Sequence, residues 1–231
     1  VVCPATLKLN WASEVKKWRS DLSPIVCKGR KGFKIPQANE VVVINYDILP
    51  SEFTPTDKWG EESQNVPLDW ISSLAKTILI ADEAHLCKSY KAMRSKRTKV
   101  LGRLCKASWA MTGTPLLSRG FDLYGVVETF GMALPIFGGF KGFTRLMDAS
   151  KNAWGGWEFG TPDPSVPERM RRCMLRRLKT EVLKSLPPKQ YQDVLVEVGS
   201  QRLLQLSEQA MVRLKECGGE LPPFEEFSQL R

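Results

Sequence analysis

Histidine is almost missing from this sequence: 231 residues contain one, His85, and the six cysteines form no C-x-x-C pair. A zinc centre therefore lacks its ligands. No apolar run approaches the ~20 residues that cross a bilayer, and no charged-then-apolar segment opens the chain, which predicts no membrane partner. Internal repeats and low-complexity tracts are absent as well, which excludes a repeat array. Nor is there a G-x-x-x-x-G-K-[ST] string, so a phosphate cradle of that kind cannot form from these residues alone. Cys3, Cys27, Cys87, Cys105, Cys173 and Cys217 are scattered rather than clustered. That spacing predicts buried or free thiols in a reducing, intracellular compartment, not a disulfide framework.

What is present describes a folded, basic chain. Hydrophobic residues make up 42%, enough for a core, and 34 Lys plus Arg against 25 Asp plus Glu give a formal charge of +9. That excess favours polyanionic partners, nucleic acid above all. The first residue is Val, and Val1 to Pro4 has the character of the end of a buried strand, so the chain is expected to begin inside a domain. Short β-branched runs alternate with helix-like stretches, the pattern of an α/β fold with a mainly parallel sheet covered by helices. The strand candidates are Val1 to Cys3, Val41 to Ile44, Thr77 to Ala81 and Ser108 to Met111. Leu7, Trp11, Val15 and Trp18 recur at helical spacing, predicting an amphipathic helix capped by Thr6. A second helix is predicted from Met93 to Leu104.

Prolines and a glycine between Ile48 and Leu74 predict a surface loop. Beyond Gly131 glycines alternate with Phe137, Phe140, Phe143, Trp154, Trp157 and Phe159, a separate subregion whose aromatics suit packing better than stacking on unpaired bases. Ser165-Val166-Pro167-Glu168 reads as a capping box opening a helix that runs through the basic patch Arg171 to Lys179. Pro187-Pro188, with alternating Val194, Val196 and Val198 after it, marks the best boundary, and Ser200 starts a helix ending near Gly218.

The chemistry concentrates at two strand ends. Thr77-Ile78-Leu79-Ile80-Ala81 delivers Asp82-Glu83-Ala84-His85 at a carboxyl edge, where ligands of open parallel sheets bind. Adjacent carboxylates there suit a nucleotide site, one holding Mg²⁺ through its waters and the next orienting or deprotonating an attacking water. The same pair would also suit a helix start, where acids complement the macrodipole. A second strand, Trp109-Ala110-Met111, ends in Thr112-Gly113-Thr114-Pro115, and the order and separation of the two strings resemble motifs II and III of superfamily-two helicases.

Asp82-Glu83-Ala84-His85 resembles the DEAH box of that superfamily. The string Met174-Leu175-Arg176-Arg177-Leu178-Lys179-Thr180-Glu181-Val182-Leu183-Lys184-Ser185-Leu186-Pro187-Pro188-Lys189 resembles a signature of Swi/Snf-type translocases, and Gly113-Thr114-Pro115-Leu116-Leu117-Ser118-Arg119 with the Thr180-Glu181-Val182 variant most resembles their annealing-helicase branch. Pro4-Ala5-Thr6-Leu7 with Asn10-Trp11, and Ile44-Asn45-Tyr46-Asp47, resemble the motifs Ia and Ib that touch the DNA backbone.

The resemblance implies a RecA-like three-layer sandwich lacking its first strand and phosphate-binding loop, plus a helical insertion. It implies a partial first motor lobe over residues 1–130, an insertion and basic signature helix over 131–190, and the start of a second lobe or a linker over 191–231. ATP and Mg²⁺ are the implied cofactors. DNA, duplex or forked, and the remaining motor lobe are the implied partners. Asp82 would hold the metal, Glu83 would be the base, and His85, Thr112, Gly113 and Thr114 would couple nucleotide state to DNA grip. Thr6, Lys8, Tyr46, Arg176, Arg177 and Lys179 would meet the phosphates of the nucleic acid. With no phosphate loop, residues 1–231 are expected not to hydrolyse ATP alone. A missing first strand would leave a sheet edge unpaired and apolar surface exposed. The DEAH box is shared with RNA helicases and restriction-enzyme translocases, and the string from Arg176 to Lys189 argues against both. A catalytically inactive nucleic-acid-binding module is the remaining alternative. The compartment would be the nucleus in a eukaryote or the nucleoid in a bacterium.

Overall fold

Stiff β-branched side chains dominate the inner strand Glu40–Asn45, which carries three valines and an isoleucine. The computed structural model describes residues 1–56, 65–115, 120–185 and isolated positions from 187 to 212. Its strands are β1 (Val2–Cys3), β2 (Ser23–Val26), β3 (Glu40–Asn45), β4 (Ile78–Asp82) and β5 (Ala107–Met111). They form a five-stranded sheet in the order β2-β3-β1-β4-β5, every pair parallel. Parallel neighbours need long crossovers. Three of these carry α1 (Lys8–Trp18), α2 (Leu68–Leu74) and α3 (Met93–Leu104).

Four of the five strands fall where the sequence predicts them. The fifth, β2, contains Pro24 and lies at the sheet edge, where a missing N–H is tolerated. At the opposite edge β5 exposes Trp109, Ala110 and Met111, with Trp109 59% accessible.

The predicted Thr6 cap does not form. Ala5–Leu7 is a 3-10 turn closed by the Leu7 N–H on the Pro4 carbonyl, and Leu7 is the residue before α1. Thr6 thus lies within the helical path, where its backbone cannot take the extended conformation an N-cap needs. Trp18, predicted on the buried face, is 70% exposed and donates its indole N–H to Glu14 Oε2 at 2.7 Å.

The predicted surface loop after Ile48 contributes to the core. Phe53 and Leu74 are buried, and Phe53, Phe33 and Trp70 form an aromatic trio with centroids 5.2 to 5.8 Å apart. A 3-10 turn (Ser51–Phe53) and α2 occupy parts of that stretch, while residues 57–64 lie outside the described set.

Residues 1–176 form one compact unit and residues 177–231 another. The first unit holds two hydrophobic clusters. One gathers Val2, Ile44, Tyr46, Leu79, Val100 and their neighbours around the sheet. The other joins α4 (Gly120–Thr129), α5 (Ala133–Phe137), α6 (Gly139–Leu146) and α7 (Val166–Arg171). A short antiparallel hairpin, β6 (Ala149–Lys151) with β7 (Trp157–Phe159), follows α6.

Most aromatics of the glycine-rich stretch pack. Phe121 meets Phe140, Phe143, Trp157 and Phe159 at centroid distances of 4.9 to 5.8 Å. Trp154, in the hairpin loop, is instead 94% exposed.

The helix after Ser165 is shorter than predicted, ending at Arg171. Met174 still packs on the second cluster, but the residues from Leu175 to Leu178 are exposed, so no apolar burial sustains a longer helix. Ser165 does not cap: its hydroxyl accepts from Arg169 Nε at 3.1 Å, while Asp163 Oδ1 accepts the Ser165 N–H at 2.8 Å. In the second unit α8 spans Lys179–Val182. The strand expected at Val194 to Val198 lies outside the described residues. Of the helix expected from Ser200, only Gln205, Glu208 and Val212 are described, and they are helical.

α4 rests directly on the chain that leaves β4. A Cβ built at Gly125 would overlap the Lys88 carbonyl, so only glycine fits. Gly125→Ala is expected to destabilise the fold by about 3 kcal/mol, read as a lowered midpoint in chemical denaturation. An unchanged midpoint would contradict this packing.

Candidate functional site

Parallel strands joined by helical crossovers bring their carboxyl ends to one edge, and four of the five supply the site. β4 ends at Asp82, and β5, in register with Asp82 opposite Met111, passes directly into Thr112. α1 follows β1 and carries Trp11; the 3-10 turn after β3 starts at Tyr46.

Asp82 is held from three directions. Its Oδ2 accepts the indole N–H of Trp11 at 2.8 Å, and its Oδ1 accepts the backbone N–H of Glu83 at 2.9 Å. The Asp82 carbonyl accepts the hydroxyl of Tyr46 at 2.7 Å. Tyr46 is 2% exposed, and burial raises its phenol well above the ordinary range, so it remains a donor. The phosphate contact expected of Tyr46 is therefore corrected: its hydroxyl is enclosed and spent on the acidic strand end.

Glu83 occupies the left-handed region, φ 49° and ψ 49°. Such a conformation in a side chain of this size costs about 1 kcal/mol or more and recurs at functional sites. It turns the chain sharply out of β4 into the 3-10 turn Ala84–Cys87.

The turn places His85 Nδ1 3.1 Å from Glu83 Oε2 and 3.1 Å from Thr112 Oγ1. A carboxylate only accepts, so a proton on Nδ1 is donated to Glu83. With the proton on Nε2 instead, Thr112 donates its hydroxyl to Nδ1. One imidazole proton thus selects between two hydrogen-bond patterns. Thr112 Oγ1 also accepts the Thr114 N–H at 3.1 Å, bracing the loop around the exposed Gly113.

The structure therefore brings together Asp82, Glu83, His85, Thr112, Gly113 and Thr114. Thr6 is exposed on the turn before α1, and Lys8 Nζ donates to the Cys27 carbonyl at 2.9 Å. Arg176 and Arg177 are exposed and fall in different compact units; the Lys179 side chain lies outside the described residues. Sequence reasoning missed Trp11 as a member of the site. The available signal was that a half-buried indole N–H needs an acceptor, and acids at a strand end are natural ones.

Among the described residues, no group of three or more His, Cys, Asp or Glu could hold a metal ion. Asp82 alone suits Mg²⁺, which keeps most of its waters and takes one or two carboxylates plus phosphates. Each of its oxygens accepts one N–H, which leaves a lone pair free for a metal-bound water. No helix among the described residues is long and apolar enough to cross a membrane.

A family described as the SNF2-related domain matches residues 1–212, so the chain belongs to that family. It is 28% identical over 207 residues to the "SWI/SNF-related matrix-associated actin-dependent regulator of chromatin subfamily A-like protein 1" of Xenopus laevis, covering 85% of this chain and 19% of that protein. A human "DNA annealing helicase and endonuclease" is 26% identical over 209 residues, covering 87% of this chain and 18% of its own length. The chain thus spans about a fifth of the length of these relatives. The Sulfolobus solfataricus SWI2/SNF2 ATPase core, solved with double-stranded DNA, superimposes with a TM-score of 0.54 at 17% identity, over 96% of this chain and 43% of that one. The sheet and its helices are accordingly the RecA-like α/β fold that the motifs imply.

Thr112→Val removes the hydroxyl while keeping the shape and is expected to cost about 1 kcal/mol. Combined with His85→Ala it should cost less than the sum of the two, by a coupling of ~1 kcal/mol in a denaturation double-mutant cycle. Strict additivity would show that the contact carries no energy.

Proposed function

We propose, from its membership of the SNF2-related family, that this chain is part of the first motor lobe of a DNA-dependent ATPase that moves along duplex or forked DNA. The observation that carries the reading is the hydrogen-bonded path Glu83–His85–Thr112, which joins the two strand ends whose sequences resemble motifs II and III. A nucleotide state felt at Glu83 reaches the Thr112–Thr114 loop through one imidazole.

In this reading Asp82 holds Mg²⁺ through water, and Glu83 orients or deprotonates the water that attacks the terminal phosphate of ATP. The metal would supply charge neutralisation at the phosphates. Trp11 and the Glu83 N–H keep the Asp82 carboxylate oriented, and its neutral donors leave the full negative charge available. His85, Thr112, Gly113 and Thr114 carry the coupling. Thr6, Lys8, Arg176, Arg177 and Lys179 contact DNA phosphates. The phosphate cradle and the second lobe come from elsewhere in the parent protein, since no G-x-x-x-x-G-K-[ST] string occurs in these residues. The parent works where DNA is, in a nucleus or nucleoid, and its likeness to an annealing helicase favours forked substrates.

The formal charge of +9 is served equally by a second reading, a relative that grips nucleic acid without hydrolysis. The two separate on the parent protein, assayed for ATP hydrolysis with duplex, forked and single-stranded DNA and with RNA. Duplex or forked DNA should stimulate turnover, and Glu83→Gln should lower it by about 10² to 10⁴-fold while sparing ATP binding. Stimulation by RNA alone would reassign the substrate. No hydrolysis under any condition would favour the binding module.

A further inference from the structure

We infer that Trp11 and Tyr46 are positioning residues for Asp82, making the orientation of its carboxylate depend on α1 and on the turn after β3. The inference rests on the proposed motor function.

The geometry is specific. An aspartate carboxylate rotates softly about its last torsion. Here that rotation is fixed by the Trp11 indole on Oδ2 and by the Glu83 N–H on Oδ1, while Tyr46 fixes the peptide carbonyl of the same residue. Trp11 lies 71 residues away in sequence and Tyr46 lies 36 away, so neither contact is a by-product of local chain geometry. A satisfied core tryptophan needs only some acceptor, and a backbone carbonyl would serve. This one takes a carboxylate oxygen at the strand end.

The chemistry of the donors matters as much. Indole and phenol are neutral and donate in one direction, so the indole orients the carboxylate, and the phenol the peptide carbonyl behind it, without cancelling the charge. A lysine or arginine in their place would compete with a metal-bound water for that charge. The donors sit on separate elements: α1 holds the carboxylate and the Tyr46–Ile48 turn holds the peptide carbonyl of the same residue.

Tyr46→Phe keeps the ring and removes only the hydroxyl; Trp11→Phe removes the indole N–H together with the five-membered ring that carries it. The test uses the parent protein, with Trp11→Phe, Tyr46→Phe and, as a control, Trp18→Phe, whose indole is exposed and bonds Glu14. Mn²⁺ replaces Mg²⁺ as a spectroscopic probe. Its binding in the presence of a non-hydrolysable ATP analogue is read by electron paramagnetic resonance, beside the Mg²⁺ dependence of DNA-stimulated hydrolysis. Trp11→Phe is expected to weaken Mn²⁺ binding about tenfold and to raise the half-saturating Mg²⁺ by a similar factor, with turnover recovering at high Mg²⁺. Tyr46→Phe should shift both in the same direction and Trp18→Phe neither; the thermal midpoints of Trp11→Phe and Tyr46→Phe fall modestly with the lost ring and hydroxyl, so the metal dependence is the deciding readout. A purely structural role would lower the midpoint and leave the metal dependence unchanged, and that result overturns the inference. If the wild type hydrolyses ATP in a DNA-stimulated, Glu83-dependent way and Trp11→Phe keeps its metal affinity, this inference alone falls. If the wild type never hydrolyses, the motor reading falls and takes this inference with it.

Discussion

Everything at the site depends on β4 being paired on both sides. Its five residues are in parallel register with β5 from Ile78 to Asp82, and Ala81 is paired with Val2 of β1. Those ladders fix the height at which the strand stops, and hence the height at which two acids emerge beside Thr112. A slip of one residue would turn Asp82 to the other face and carry Glu83 away from its partners. The left-handed turn at Glu83 is tolerable because this pairing over-determines it.

The sheet was legible in the sequence because its strands are short apolar runs ending in polar residues, and the two catalytic-looking strings sat at such ends, one after the interior strand β4 and one after the edge strand β5. What escaped had physical reasons. β2 carries a proline, which reads as an interruption, yet an edge position removes the penalty. The hairpin of β6 and β7 has three residues per strand, too few for alternation to register. The long helix expected after Ser165 followed from a capping-box string, which marks where a helix opens and not where it ends, while the observed helix stops where apolar burial stops.

Side-chain roles were harder to read than elements. Tyr46 sits in a segment whose resemblance points at phosphate, but burial is a tertiary property, and it is burial that turns its hydroxyl inward. The bond from Trp11 to Asp82 spans most of the sheet in sequence and adjoins it in space. By contrast, the resemblance to motifs II and III named His85 and Thr112 together, and the structure sets them 3.1 Å apart.

The glycine in α4 gives the two clusters of the first unit an unusual seam. Where helices usually meet through side chains, each contact has rotameric slack that absorbs small displacements. At Gly125 the helix backbone lies on the backbone of Lys88, three residues past His85, with nothing compressible between them. Motion of the Ala84–Cys87 turn therefore reaches α4 undamped, as between two stiff bodies sharing a bearing surface, and the aromatic cluster built on α4 moves with it.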